Sequence, residues 1–137
     1  MKIITLSEEF YKEHANCHEI LQKKDRPYAC MEITVGTTRF AIPFRHHISH
    51  SYSYHTIGDA GLDFSKSVII NEQEYDDSTL AIVDNDEFAI VKRDENKIKY
   101  KFRQYLNQYK KALKRQDVPR NARLVQYSAL QYFEDLL

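Results

Sequence analysis

The chain has 137 residues, 42% hydrophobic and 12% aromatic, enough to bury a core without disulfide staples, and it is expected to form a single domain over 1–137. No run approaches the roughly 18 apolar residues of a membrane span, "MKIITLSEEF" lacks a secretory apolar region, and Cys17 and Cys30 lack CxxC spacing; a cytoplasmic protein with reduced thiols is expected. The net charge of zero conceals a division: residues 59–91 hold nine acids and one base, whereas 92–123 hold twelve bases and three acids. Such a block gives a local basic field that can hold a polyanion whatever the total charge.

Along the chain, "KIITL" (2–6) predicts a first strand. Ser7 follows as a helix N-cap, with Glu8 and Glu9 in the first turn. The helix is expected to reach about residue 15 and to resume over 18–24, before "DRPY" breaks it. "YACMEITV" (28–35), Gly-Thr-Thr and "RFAIPF" (39–44) carry the clearest hairpin signal, with Pro43 ending the second strand or placing it at an edge. Residues 45–65 have no clean period and read as a long functional loop. "SKSVII" (65–70) reads as a strand, and "TLAIVDNDEFAIVK" (79–92) as either a second hairpin or the start of a helix, with the hairpin favoured. From Asp94 as N-cap, a helix to about Arg115 is predicted. Its apolar arc is Ile98, Phe102, Tyr105, Leu106, Tyr109, Ala112 and Leu113, and Lys99, Arg103, Lys110 and Lys114 form one flank. A closing helix follows "DVPRN", with Leu124, Leu130, Phe133 and Leu137 inward. The order of elements predicts an α+β fold with a mainly antiparallel sheet.

The chemistry concentrates in "FRHHISHSYSYH" (44–55), which holds four of the six histidines, an arginine, three serines and two tyrosines, with no carboxylate. His46, His50 and His55 could supply three nitrogens to zinc, but the segment is poorly helical and lacks a carboxylate to complete or orient the set. A solvated loop is the bland alternative. An anion site accounts for more of the residues. Histidine moves protons near neutral pH, arginine forks onto phosphate oxygens, serines donate hydrogen bonds, and Tyr52 and Tyr54 offer ring faces to bases. Attack of an RNA 2′-hydroxyl on its own phosphorus needs such a set: a base, an acid and cations around the phosphorane, with no metal.

"RFAIPFRHHISH" followed by "GLDFSKSVII" resembles the toxins of type III toxin–antitoxin systems, the ToxN, AbiQ, CptN and TenpN group, and most of all the CptN and TenpN branch. The similarity in order of elements spans about residues 1–110. It implies a compact, strongly twisted antiparallel sheet with a core like the MazF and Kid toxins, flanking helices and a long basic helix towards the C-terminus. It also implies a metal-independent endoribonuclease, without cofactor, that leaves 2′,3′-cyclic phosphate and 5′-hydroxyl ends. The implied partners are a small non-coding pseudoknot RNA, which inhibits the toxin and is cut by it from a repetitive precursor, and cellular RNA. Toxin and RNA would close into a cyclic assembly. Where ToxN-like enzymes carry Thr-Ser-x-Lys, this chain reads Arg45, His46, His47, Ile48. Arg45, His46, His47 and Ser49 are the catalytic candidates, with Lys66 as a second cation. Tyr28, His50, Tyr52, Tyr54, Lys99, Arg103, Lys110 and Lys114 are the candidate RNA contacts. A non-catalytic RNA-binding module is the alternative of a different class.

Overall fold

The computed structural model describes residues 2–22, 28–71, 74–76 and 83–137. Strand β1 (Lys2–Leu6) leads into α1 (Glu8–Glu13), whose cap Ser7 accepts the Phe10 N–H through its hydroxyl. The helix ends earlier than expected. Residues 14–20 continue as turns, with the Cys17 N–H on the His14 carbonyl and the Ile20 N–H on that of Cys17. The rest of the expected resumption, from residue 23, lies outside the described residues.

The hairpin forms as predicted from β2 (Ala29–Val35) and β3 (Thr38–Arg45) around Gly36-Thr37. Gly36 has φ +63°, the left-handed backbone that a tight turn asks of its first central residue. Pro43 neither ends β3 nor lies at an edge; it pairs with Cys30 of β2. On its other side β3 changes partner, pairing with β6 (Val68–Ile70) over Arg39–Ala41 and with β5 (Gly61–Asp63) over Phe44–Arg45. Pro43 falls in the gap between those two ladders, where a missing N–H costs no ladder bond.

Among the described residues the sheet has seven strands in antiparallel pairs, ordered β4-β5-β3-β2-β1-β7, with β6 also on β3. Here β4 is Ser53–His55 and β7 is Tyr75–Asp76. The expected loop over 45–65 is therefore half loop and half hairpin, since β4 and β5 pair within it. Gly61 makes that pairing possible: a Cβ there would lie 2.1 Å from the Tyr54 carbonyl oxygen. The expected strand over 65–70 shortens to β6, because Asp63 caps a 3-10 turn over Phe64–Lys66.

The expected hairpin over 79–92 is corrected to a helix, α2 (Asn85–Arg93), while residues 79–82 lie outside the described ones. The acidic run explains the outcome. Asp84 accepts the N–H groups of Asp86 and Glu87, acids fill the first turn, and Lys92 and Arg93 fill the last. Next come α3 (Glu95–Leu113) and α4 (Pro119–Tyr127). The predicted arc of α3 is buried at every position but the half-buried Leu113. Asp94 does not cap α3 through its side chain; its carboxylate instead accepts Tyr54 Oη at 2.7 Å and the Arg93 guanidinium. The closing helix breaks at Ser128, whose hydroxyl pairs with buried Tyr105 Oη at 2.7 Å and caps a 3-10 segment over Ala129–Leu136. The fold is α+β with a mainly antiparallel sheet and flanking helices. Among the described residues no helix is long and apolar enough to cross a membrane.

Candidate functional site

After β3 the chain turns sharply. Arg45 ends the strand, and His46 and His47 stand exposed on the turn, with His47 at φ +60°. Ile48 then plunges inward, 4% exposed, and its N–H donates to the Asp59 carbonyl at 2.9 Å. Ile48 thus anchors the loop to the turn of the β4–β5 hairpin. Further along, Thr56 Oγ1 donates to Glu87 at 2.5 Å and Tyr54 Oη to Asp94, so the hairpin is fastened to α2 and to the start of α3.

Beneath the turn lies Asp63, a carboxylate that the stretch 44–55 does not contain. It is fully buried and accepts from Arg45 Nη1 at 2.7 Å, Ser65 Oγ at 2.6 Å, the Ser65 N–H at 3.0 Å and His50 Nε2 at 3.2 Å. Burial opposes its ionisation. The hydrogen bonds from His50, Ser65 and Arg45 together outweigh that and hold the carboxyl below its usual value. His50 is held at both nitrogens, because Nδ1 accepts the Tyr52 N–H at 3.1 Å. That pattern assigns the Nε2–H tautomer and makes His50 a donor to the buried carboxylate. Lys66, half-buried in the adjoining turn, has its pKa lowered chiefly by desolvation, with Asp63 pulling the other way and Arg45 adding repulsion. Its ammonium donates to the Tyr127 carbonyl at 3.3 Å, at the C-terminal end of α4.

The same loop faces α4 across a recess of about 430 Å³. His50, Tyr52 and Ser65 form one wall, and Arg120, Arg123, Leu124 and Tyr127 the other. These four α4 residues are spaced i, i+3, i+4 and i+7, a single helical stripe. Arg120, Arg123 and Tyr127 were not among the sequence candidates. The sequence signal was two arginines and a tyrosine flanking the inward Leu124, a mixed stripe that reads as solvated when only apolar positions are traced.

The structure thus gathers Arg45, His50, Lys66 and Tyr52 of the predicted residues, and adds Asp63, Ser65, Arg120, Arg123 and Tyr127. It leaves His46, His47 and Ser49 on the exposed surface of the turn, with His47 Nδ1 3.2 Å from the Asp59 carboxylate. Tyr28 lines a narrow crevice with Pro43 and Lys66. Tyr54 is buried, with the Lys101 ammonium 5.6 Å from its ring centroid, and so belongs to the scaffold that holds the hairpin. Arg103 and Lys110 on α3 and Lys114 at its C-cap are exposed, while Lys99 is half-buried and pairs with Glu95 at 3.6 Å. His46, His50 and His55 form no metal-sized cluster among the described residues. The grouping with that spacing is Glu13, His14 and Glu74, beside α1.

No protein-family model and no curated protein matches this sequence. Among solved structures the chain superposes on one described as "A processed non-coding RNA regulates a bacterial antiviral system". The TM-score is 0.61, covering 78% of this chain and 85% of the other, at 15% identity. The two share a fold, an α+β arrangement with a mainly antiparallel sheet and flanking helices.

Proposed function

We propose that this protein is the toxin of a type III toxin–antitoxin system, a sequence-specific endoribonuclease that cuts RNA without a metal ion. The observation that carries the reading is the recess in which Arg120 and Arg123 of α4 face His50, Tyr52 and Ser65, with Arg45 and Lys66 beside it. Cations grip phosphate, and Tyr52 and Tyr127 offer ring faces to unpaired bases. The fold shared with a protein whose described system is regulated by a processed non-coding RNA supports the same reading.

In the proposed reaction the 2′-oxygen bonds to phosphorus as the bond to the 5′-oxygen breaks. Lys66, its pKa lowered by burial, takes the 2′-proton. The adjoining exposed turn supplies His46 to protonate the leaving oxygen, with His47 and Ser49 as hydrogen-bonding neighbours. Arg45 stabilises the phosphorane charge, held in orientation by Asp63. Tyr28 closes the far side of Lys66. The basic flank of α3 (Lys99, Arg103, Lys110 and Lys114) docks the body of the RNA. The proposed partner is a small pseudoknotted antitoxin RNA, cut from its precursor by this protein and closed with it into a cyclic assembly; cellular RNAs are the other substrates.

One observation favours a non-catalytic RNA-binding module instead. Asp63 already occupies hydrogen bonds of Arg45 and His50, as a purely structural cluster would. Incubation of the protein with RNA separates the readings. The nuclease yields 2′,3′-cyclic phosphate and 5′-hydroxyl ends at a rate unchanged by EDTA. Binding without cutting supports the module, and activity lost to chelation and restored by zinc rejects the scheme.

A further inference from the structure

Beside the basic recess lies a second one, of about 230 Å³, with a different lining. Its polar wall comes from Gln104 and Gln108 on α3 and from Ser51 and Ser53 on the loop, with Lys101 as its cation. Tyr52 lines both recesses. Its ring centroid lies 6.1 Å from that of His50 and 5.9 Å from that of Tyr105. Tyr52 therefore stands as a partition between two neighbouring compartments.

The two linings suit different parts of a nucleotide. Paired arginines are matched to phosphate oxygens, which carry no sequence information. Carboxamides and hydroxyls carry no charge and offer a donor beside an acceptor, the pattern that a base edge answers. Gln104 and Gln108 are one helical turn apart, so both amides project from the same face of α3. Gln104 Nε2 donates to Tyr100 Oη at 3.1 Å, which orients its amide and leaves Oε1 as the acceptor.

We propose that this amide-lined recess is a base-recognition subsite for one unpaired nucleotide, next to the nucleotide held in the basic recess, with the strand crossing over Tyr52. The inference rests on the protein's being an RNA-binding enzyme and adds to it the residues that set sequence preference, Gln104 and Gln108. Because both are exposed, replacing them leaves the apolar arc of α3 intact.

The test uses a pool of RNAs randomised in sequence. Cut ends and retained RNA are sequenced for the wild type, for Gln104→Ala with Gln108→Ala, and for Arg120→Gln with Arg123→Gln. Thermal unfolding of each variant serves as a control. The glutamine variant is expected to lose preference at one position next to the cut by roughly tenfold or more, with the other positions unchanged. The arginine variant is expected to bind every sequence more weakly and to keep the wild-type preference. A glutamine variant that retains the full wild-type profile overturns the subsite while leaving the nuclease reading intact. A wild type that neither binds nor cuts the pool overturns both.

Discussion

His46 and Arg45 are chain neighbours, yet they belong to two different environments. The turn carrying His46, His47 and Ser49 is exposed, with the His47 side chain 90% accessible. Arg45 reaches back to a carboxylate of zero accessibility and keeps 31% of its own side chain in contact with solvent. The exposed turn offers groups that exchange protons freely with water and cost little to replace. The buried cluster offers fixed orientation, a displaced lysine pKa and a large penalty for any unpaired member. In the proposed enzyme, chemistry needs both: a rigid floor to position the phosphate and a solvated edge to renew protons.

The sharpest break in that comparison is at Lys66. Lys66→Ala is expected to slow RNA cleavage by ~10²–10⁴-fold, the usual contribution of a proton-transfer group. Lys66→Arg keeps the charge but not the proton exchange, so it should be nearly as slow. A Lys66→Arg enzyme at near wild-type rate would assign Lys66 a purely electrostatic part. The wild-type rate should follow a bell-shaped pH profile, because Lys66 must be unprotonated to act as the base while His46 must be protonated to act as the acid. The limb that belongs to Lys66 should lie below the ordinary lysine value of about 10.4, since burial lowers its pKa. His46→Ala should also lose cleavage while keeping affinity for RNA. If it cuts normally, the exposed turn contributes no proton and the buried side acts alone.

Next in size is the stability held by Asp63. Asp63→Asn is expected to cost about 3 kcal/mol, the lower end for breaking a buried pair, because Arg45 retains contact with water. The sign with pH follows from the lowered carboxyl pKa. The folded protein binds this proton less readily than the unfolded chain, so the stabilisation is complete above the unfolded value of about 3.9 and is lost as pH falls through the folded one. Denaturant titrations from pH 7 to pH 2 should show a shallower acid limb for Asp63→Asn than for the wild type. Parallel curves would mean that the cluster does not govern acid stability.

A smaller effect tests the α3 flank. Replacing Lys99, Arg103, Lys110 and Lys114 by Gln should reduce the salt dependence of RNA binding by about 0.7–1 unit of slope for each phosphate that these cations neutralise. An unchanged slope would make the flank a solvated face. The smallest effect is expected at the turn itself. His47→Gly removes a side chain from φ +60°, relieving about 1–2 kcal/mol of left-handed cost, offset by roughly 0.5–1 kcal/mol of added chain entropy. The melting temperature should hardly move; a large drop would show that the His47–Asp59 contact fastens the loop.

Local periodicity determined much of the framework. The β2–β3 hairpin, the apolar arc of α3 and the concentration of anion-binding groups after Pro43 are all legible in short windows, because each depends on neighbours within a few residues. The stretch leading into α2 misled for the same reason: "FAIVK" is a short apolar run that fits a strand or a helix, and the Asp84 cap with burial of Val91 selects the helix. The site was half legible. Arg45, His50, Lys66 and Tyr52 stand out by residue type, but their floor is Asp63, 18 residues beyond Arg45, brought there by the pairing of β3 with β5. Arg120 and Arg123 join the recess because Leu124 packs inward and turns their stripe of α4 towards the loop. Which charges meet, and which stay in water, depends on burial and ion pairing between segments distant in the chain. Those energies act only once the sheet and helices have brought the segments together, so tertiary structure alone decided that His50 serves Asp63 and that His46 faces solvent.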